Sequence, residues 1–273
     1  MIIPFYSDLI WGPKKTIMQA VSTSGIQTFS PLLLSRLKSA KRVVALTGAG
    51  VSAESGISTF RDPQGLWANF KPEELATPEA FRKNPKMVWE WYAWRREKIK
   101  EVKPNPGHYA LAEMEKIFPK FTLITQNVDG LHHLAGSKQI LELHGNIKRN
   151  KCFECEKVFL EAVESIEVPP RCKCGGFLRP DVVWFGELLP AGILDQSYQL
   201  SQNCDLFFSI GTSAVVQPAA SLPIYAKRSG AFLIEINPQP TEISYLADQT
   251  LLGKSGEVLP QLLSALAQHQ RQD

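Results

Sequence analysis

Six short runs of this 273-residue chain are almost continuously apolar: 42–47, 121–125, 140–143, 205–210, 232–236 and 250–252. They do not alternate apolar with polar residues, so a strand made from them cannot leave one face to water. A parallel sheet covered on both faces accommodates them. Stretches of helical pattern lie between and around them, at 31–40, 78–102, 106–118, 190–202 and 256–268. Four of these start at or beside a proline, whose fixed φ suits a first helical turn. Strand alternating with helix predicts an open α/β fold with a Rossmann-like parallel sheet. One stretch breaks the rhythm, because four of the five cysteines fall between 148 and 179. It predicts a smaller inserted module.

The chain is 44% hydrophobic and 21% charged, enough for a sizeable core. A net charge of +3 gives no push towards nucleic acid or membrane as partner. No run of 18 apolar residues is present, so no spanning helix is expected. The first 29 residues lack a basic start followed by an apolar core, which argues against a secretory signal. They hold Lys14, Lys15 and Asp8 but no arginine, and read as a partly ordered extension. A cytoplasmic protein is expected, with a mitochondrial leader as the alternative.

The first apolar run stops at Thr47 and meets Gly48-Ala49-Gly50-Val51-Ser52-Ala53. This is the alanine form of G-x-G-x-x-G, in which glycine permits a tight turn and a pyrophosphate can lie against backbone N–H groups. A tight strand–helix turn without a ligand fits the same residues. The acidic residue that ends the second strand of a dehydrogenase is missing, and the chain runs instead into Phe60-Arg61-Asp62 and Trp67. A dinucleotide here is therefore expected as a substrate, with chemistry at its ribose. After the second run come Gln126, Asn127, Val128 and Asp129, where an open sheet has its crevice. They suit ribose hydroxyls and a carboxamide, or simply a turn. Of five histidines, His144 alone directly ends an apolar run before a glycine, the place for a general base or for a packed ring.

Cys152-x-x-Cys155 and Cys172-x-Cys174 read as a four-thiolate zinc site. Disulfides suit a chain without a secretion signal poorly. All four thiolates are used, so the zinc is expected to be structural. Cys204 reads as a core thiol. Lys148, Arg149 and Lys151 read as a small solvated basic face. In Tyr92-x-x-Arg95 a phenol and a guanidinium share a helix face, as a carboxylate site would want. Spacing alone favours a core aromatic stripe with a solvated arginine.

From about residue 37 to 263 these segments, in this order, resemble the sirtuins, the NAD-dependent protein lysine deacylases. The resemblance is carried by GAGVSAESGISTFRD (48–62), TQNVDGLH (125–132), ELHG (142–145) and the four cysteines. It continues through RPDVVWFGE (179–187), GTSAVVQPAA (211–220), EINPQPT (235–241) and GKSGEVLP (253–260). It implies a catalytic domain over 31–273 behind the extension 1–30. Rossmann-like segments would lie at 31–65, 105–147 and 179–273, with a helical insertion at 66–104 and a zinc module at 148–178.

The resemblance also implies roles. Gly48, Ala49, Gly50, Ser52, Ala53, Phe60, Arg61 and Trp67 would surround the phosphates and nicotinamide ribose of NAD. Gln126, Asn127 and Val128 would lie along that ribose, and Asp129 at the carboxamide. Gly211, Thr212, Ser213, Asn237, Pro238, Gln239 and Ser255 would meet phosphate and adenosine. Val183, Phe185, Gly186, Glu187 and Val215 would hold the substrate as an added strand. His144 would be the base, with Asn127 beside it. Products would be nicotinamide and 2′-O-acyl-ADP-ribose, and the partners acyl-lysine-bearing proteins, met by a monomer.

A sirtuin branch that removes malonyl, succinyl and glutaryl groups carries Tyr-x-x-Arg in this helix, and Ala53 matches its enlarged pocket. Acidic acyl groups are therefore expected, beside acetyl. A mono-ADP-ribosyltransferase and a plain deacetylase are the alternatives. Asp181 stands where relatives often carry histidine, with no effect assigned.

Overall fold

The computed structural model describes residues 28–58, 72–160, 163 and 165–271. Phe60, Arg61 and Trp67 lie outside the described residues. Six strands form one sheet: β1 (Arg42–Thr47), β2 (Lys120–Thr125), β3 (Ile140–Glu142), β7 (Leu206–Ile210), β8 (Phe232–Asn237) and β9 (Gln249–Leu252). The order is β3-β2-β1-β7-β8-β9, with every pairing parallel. Chain order reverses between β1 and β7, so the loops leaving these strands diverge and open a crevice at their carboxyl ends.

Both faces are covered, as continuous apolar strands demand. Val43, Ala45, Leu123 and Phe208 pack on α1 (Pro31–Ser39), α6 (Pro106–Ile117) and α10 (Ser255–Gln270) through Leu33, Leu111, Met114 and Leu262. Val44, Leu46, Phe207 and Leu233 face the other way, onto α8 (Ala191–Gln202) and α9 (Leu222–Arg228). The expected helix at 78–102 is instead two, α4 (Pro78–Lys83) and α5 (Pro85–Lys100). Asn84 precedes a proline, which bars it from helical ψ, and its side chain accepts from Met87 N at 3.1 Å to start the second helix.

Four of the five cysteines lie on or beside a separate antiparallel sheet, β5-β4-β6, made of β4 (Gly145–Cys152), β5 (Val158–Phe159) and β6 (Leu178–Val182). A third core joins this sheet to the helices before it: Phe81, Val88, Trp91 and Tyr92 pack on Ile147, Val182 and Trp184. The short helices α2 (Ala49–Ala53), α3 (Pro72–Leu75) and α7 (Leu131–Leu134) complete the set used below. Among the described residues no helix is long and apolar enough to cross a membrane.

Candidate active site

The glycines of the first turn are required by backbone packing. A Cβ on Gly48 or Gly50 would lie 2.8 Å from the carbonyl oxygen of Gly211, at the end of β7. Gly50 N donates to that oxygen at 2.8 Å. The turn therefore lies flat across the β1–β7 junction, and Ala49 to Ala53 coil into α2 above the crevice.

Side chains from three strand ends converge beneath it. Asn127 Nδ2 donates to Gly48 O at 3.0 Å and to Ser52 Oγ at 3.1 Å. Ser52 Oγ donates to Asp129 Oδ2 at 2.8 Å, whose other oxygen accepts from Leu131 N. Gln126 Nε2 reaches Thr212 Oγ1 at 3.1 Å, joining the ends of β2 and β7. Asn237, half-buried, closes β8, with Pro238 and Gln239 exposed beyond it. Ser213 and Val128 are half-buried and Ala53 is exposed. Ser255 Oγ and Gly256 N both donate to Glu54 Oε1, at 2.8 and 2.9 Å, so a carboxylate just past α2 caps the start of α10.

Several residues of this network escape sequence reasoning. Thr47 Oγ1 lies 2.9 Å from Thr125 Oγ1 and 3.0 Å from His132 Nε2. His108 accepts from Asn105 N at Nδ1, so its neutral ring carries hydrogen at Nε2, 3.5 Å from Ser52 Oγ. Burial pushes the His108 pKa down to about 4 and that of His132 well below the usual range. Asn105 also donates to Val51 O at 2.7 Å, holding α2 from behind. The one legible signal was Asn-Pro before α6, a helix start.

His144 follows β3 and precedes Gly145, whose φ of +77° turns the chain into β4. His144 Nδ1 lies 3.0 Å from Gln126 O. A carbonyl only accepts, so Nδ1 carries the proton and Nε2 keeps its lone pair. Burial holds the His144 pKa below the usual value, and the bond to Gln126 opposes part of that shift. The result is a neutral imidazole, fixed in tautomer and able to take a proton at Nε2.

Past β6, Val183 N donates to His144 O and Phe185 N to Ala76 O, both at 2.9 Å. Phe185, Gly186 and Val215 are exposed, Val183 half-buried. Glu187 turns away from this edge. Its carboxylate accepts from Trp184 N at 2.8 Å and pairs with the buried Arg179, whose guanidinium stacks 3.2 Å over Trp184. Glu187 therefore shapes the 183–187 segment from below.

Tyr92 is buried, as a core aromatic would be, but Arg95 is not solvated as the spacing alone suggests: it is only 9% exposed. Its guanidinium lies 4.9 Å from the Trp91 ring and 5.9 Å from that of Tyr92. Among the described residues it pairs with no carboxylate; Asp129 acts on it only as a nearby charge. Trp184 Nε1 donates to Tyr92 OH at 2.9 Å, which leaves the phenol proton to be given elsewhere. Arg149 is a second correction, because it belongs to no solvated face. It bonds Glu142 at 2.6 Å and Asp181 at 2.8 Å, beside the turn that carries His144.

Cys152, Cys155, Cys172 and Cys174 bring their sulfurs within 4.8 Å of one another. The Cys152 and Cys174 sulfurs are 3.4 Å apart and those of Cys155 and Cys172 3.7 Å. Tetrahedral zinc with four thiolates needs about 3.8 Å between sulfurs. The set fits one structural zinc and, with every ligand a thiolate, leaves no position for substrate. Cys204 is a buried core thiol.

The model of the Sir2 family matches residues 48–218. An NAD-dependent protein deacylase of Aquifex aeolicus is 55% identical over 226 residues, 82% of this chain and 95% of the relative. A Sir2 homologue solved with ADP-ribose superposes with a TM-score of 0.84 at 46% identity, covering 90% of this chain and 99% of that one. A Sir2 protein solved with a myristoylated histone peptide gives 0.69 at 35% identity, over 88% and 97% of the two chains.

Proposed function

The chain belongs to the Sir2 family and is an NAD-dependent protein deacylase; we propose that it acts on acyl-lysine and favours acyl groups ending in a carboxylate, succinyl and malonyl above all, with glutaryl and acetyl also accepted. The observation that carries this preference is the buried Arg95, which has no anionic partner among the described residues. An unpaired buried charge is costly, and a ligand carboxylate in bidentate contact offsets that cost. Tyr92, one turn away, has its proton free for the same carboxylate.

The reading extends to the remaining residues. NAD supplies an electrophilic ribose carbon and the hydroxyls that take up the acyl group. Ser52, Asn127 and Asp129 would fix the nicotinamide end, and Gln126 and Thr212 the ribose and phosphates. Asn237 to Gln239 and Ser255 would lie along the adenosine. Val183 to Gly186 and Val215 would pair with the substrate backbone, with Glu187 shaping that segment from below. His144 Nε2 would take the ribose hydroxyl proton. We assign the Rossmann-like part to 31–65, 105–147 and 179–273, the helical insertion to 66–104 and the zinc module to 148–178, with the small antiparallel sheet reaching past that module at 145–147 and 179–182. A cytoplasmic monomer, with neither nucleic acid nor membrane as partner, completes the proposal.

The test is a pair of peptides differing only in acyl group. Arg95→Met should lower kcat/KM for succinyl-lysine by about 10- to 150-fold, the worth of a charge-assisted hydrogen bond. Acetyl-lysine should fall much less. An unchanged ratio would make the enzyme a plain deacetylase. ADP-ribose stably attached to protein, in place of acyl-ADP-ribose, would favour mono-ADP-ribosyl transfer.

A further inference from the structure

We infer that Arg96 is the positioning residue for acyl choice, fastening α5, and with it Tyr92 and Arg95, to a bulge in β4. The inference rests on the acidic-acyl reading above. β4 pairs Asn146 with Asp181 and then Asn150 with Pro180. It spends four residues where β6 spends one, so Ile147, Lys148 and Arg149 loop out of the ladder. Pro180, with no N–H to give, helps explain why regular pairing fails there.

The looped-out carbonyls find their donor on α5. Arg96 Nε donates to Ile147 O at 2.5 Å, and Nη2 to Arg149 O at 3.1 Å and Asn150 Oδ1 at 2.7 Å. Three acceptors around one planar fork suit arginine, and lysine cannot reproduce them. Two turns earlier on the same face, Trp89 packs on Cys152, Cys172 and Leu178, and the Arg96 guanidinium lies 5.4 Å from its ring.

The inner face of α5 is different. Besides the one hydrogen bond from Trp184 to Tyr92, Val88, Trp91, Tyr92 and Ile99 meet the third core by apolar contact. Such packing is non-directional and sets the depth of a helix better than its register. The Arg96 bonds are directional, and they fix the turn that bears Arg95. The same bulge sends the Arg149 side chain to Glu142 and Asp181, beside the His144 turn. One irregular stretch of strand thus holds the acyl-reading helix on one side and the base-bearing turn on the other.

The experiment measures kcat/KM for succinyl- and acetyl-lysine forms of one peptide in wild type, Arg95→Met, Arg96→Met, Arg96→Lys and Asn150→Ala, with bound zinc and KM for NAD recorded. Arg96→Met should lower the succinyl value roughly 10- to 100-fold, mainly through KM, the scale of a small remote misplacement. Acetyl turnover, zinc content and KM for NAD should change far less. Arg96→Lys should recover part of the loss, and Asn150→Ala should shift the ratio the same way by less.

Two results overturn the inference alone: Arg95→Met collapses the ratio while Arg96→Met leaves it, or Arg96→Met lowers both substrates in parallel. If Arg95→Met also leaves the ratio unchanged, the acidic-acyl reading falls and the inference with it. Should Arg96→Met fail to fold, Arg96→Lys and Asn150→Ala decide, and an unchanged ratio in both overturns it.

Discussion

In the parallel sheet, Val43 and Ala45 look to one set of helices and Val44 and Leu46 to the other, and each side has a deep apolar core. The cysteine-bearing sheet shares one apolar core with α4 and α5, and on its metal side has only Cys152, Cys172 and Leu178 with Trp89, Phe159 and Val163 at the margin. Bonds with direction add to it: four cysteines placed for one zinc, Arg149 between two carboxylates, and Arg179 between Glu187 and Trp184. The residues proposed to face the nucleotide stand on the first region. The segment from Val183 to Glu187 and the support of α5 belong to the second. Where hydrocarbon burial holds the frame, a polar side chain can be exchanged with the frame intact. Where single bonds hold it, an exchange moves the frame.

Removing the metal should separate the two regions most. Structural zinc contributes roughly 10–16 kcal/mol of folding free energy in zinc-finger peptides. Cys155→Ser should lose the one bound zinc and melt the small sheet early, while the parallel sheet keeps its own later transition. Calorimetry with metal analysis checks this. A variant with full zinc and one unshifted transition would show that the small sheet stands without its metal.

His144→Ala is the converse change, chemistry lost on an intact frame. A missing general base typically costs ~10²–10⁴-fold in rate. NAD affinity and melting temperature should hold, because among the described residues the His144 side chain bonds only the Gln126 carbonyl just past β2. Turnover within a few-fold of wild type would remove the base role.

The smallest effect concerns acid and the parallel-sheet crevice. His108 has a pKa of about 4 when folded, against an ordinary 6.5. Its folded value is lowered, so the unfolded chain binds more protons as pH falls from 6.5 towards 4. Stability is therefore lost across that window and levels off below it. The loss is at most roughly 3 kcal/mol. His108→Gln should flatten the fall in urea midpoint for the parallel-sheet transition. Equal slopes in both proteins would contradict the assignment.

What could be read from sequence follows the same division. The strands of the parallel sheet were visible to within a residue or so, because a strand buried on both faces must be apolar at every position. The four cysteines were visible because metal geometry constrains their spacing. Arg149 was not, since its carboxylates lie seven residues before it and thirty-two after it. Arg96 reads as half of an arginine pair until the bulge in β4 is seen, and a bulge leaves no mark in composition. Tyr92 and Arg95 were visible as a pair, but the burial of Arg95 was not, and the partner of the Tyr92 hydroxyl, Trp184, lies ninety-two residues beyond it. The split at Asn84–Pro85 was written in the sequence, and the apolar pattern running across it hid the break.

Glu54 receives Ser255 and Gly256 from a stretch of chain two hundred residues later. During synthesis the first turn of the crevice leaves the ribosome long before the helix that fastens it. Loop closure over such a span comes late, because its entropy must be met before the contact returns anything. A growing chain thus carries an unfastened nucleotide turn until α10 emerges. Competence for NAD should then arrive at once, when α10 has emerged, and not build up strand by strand.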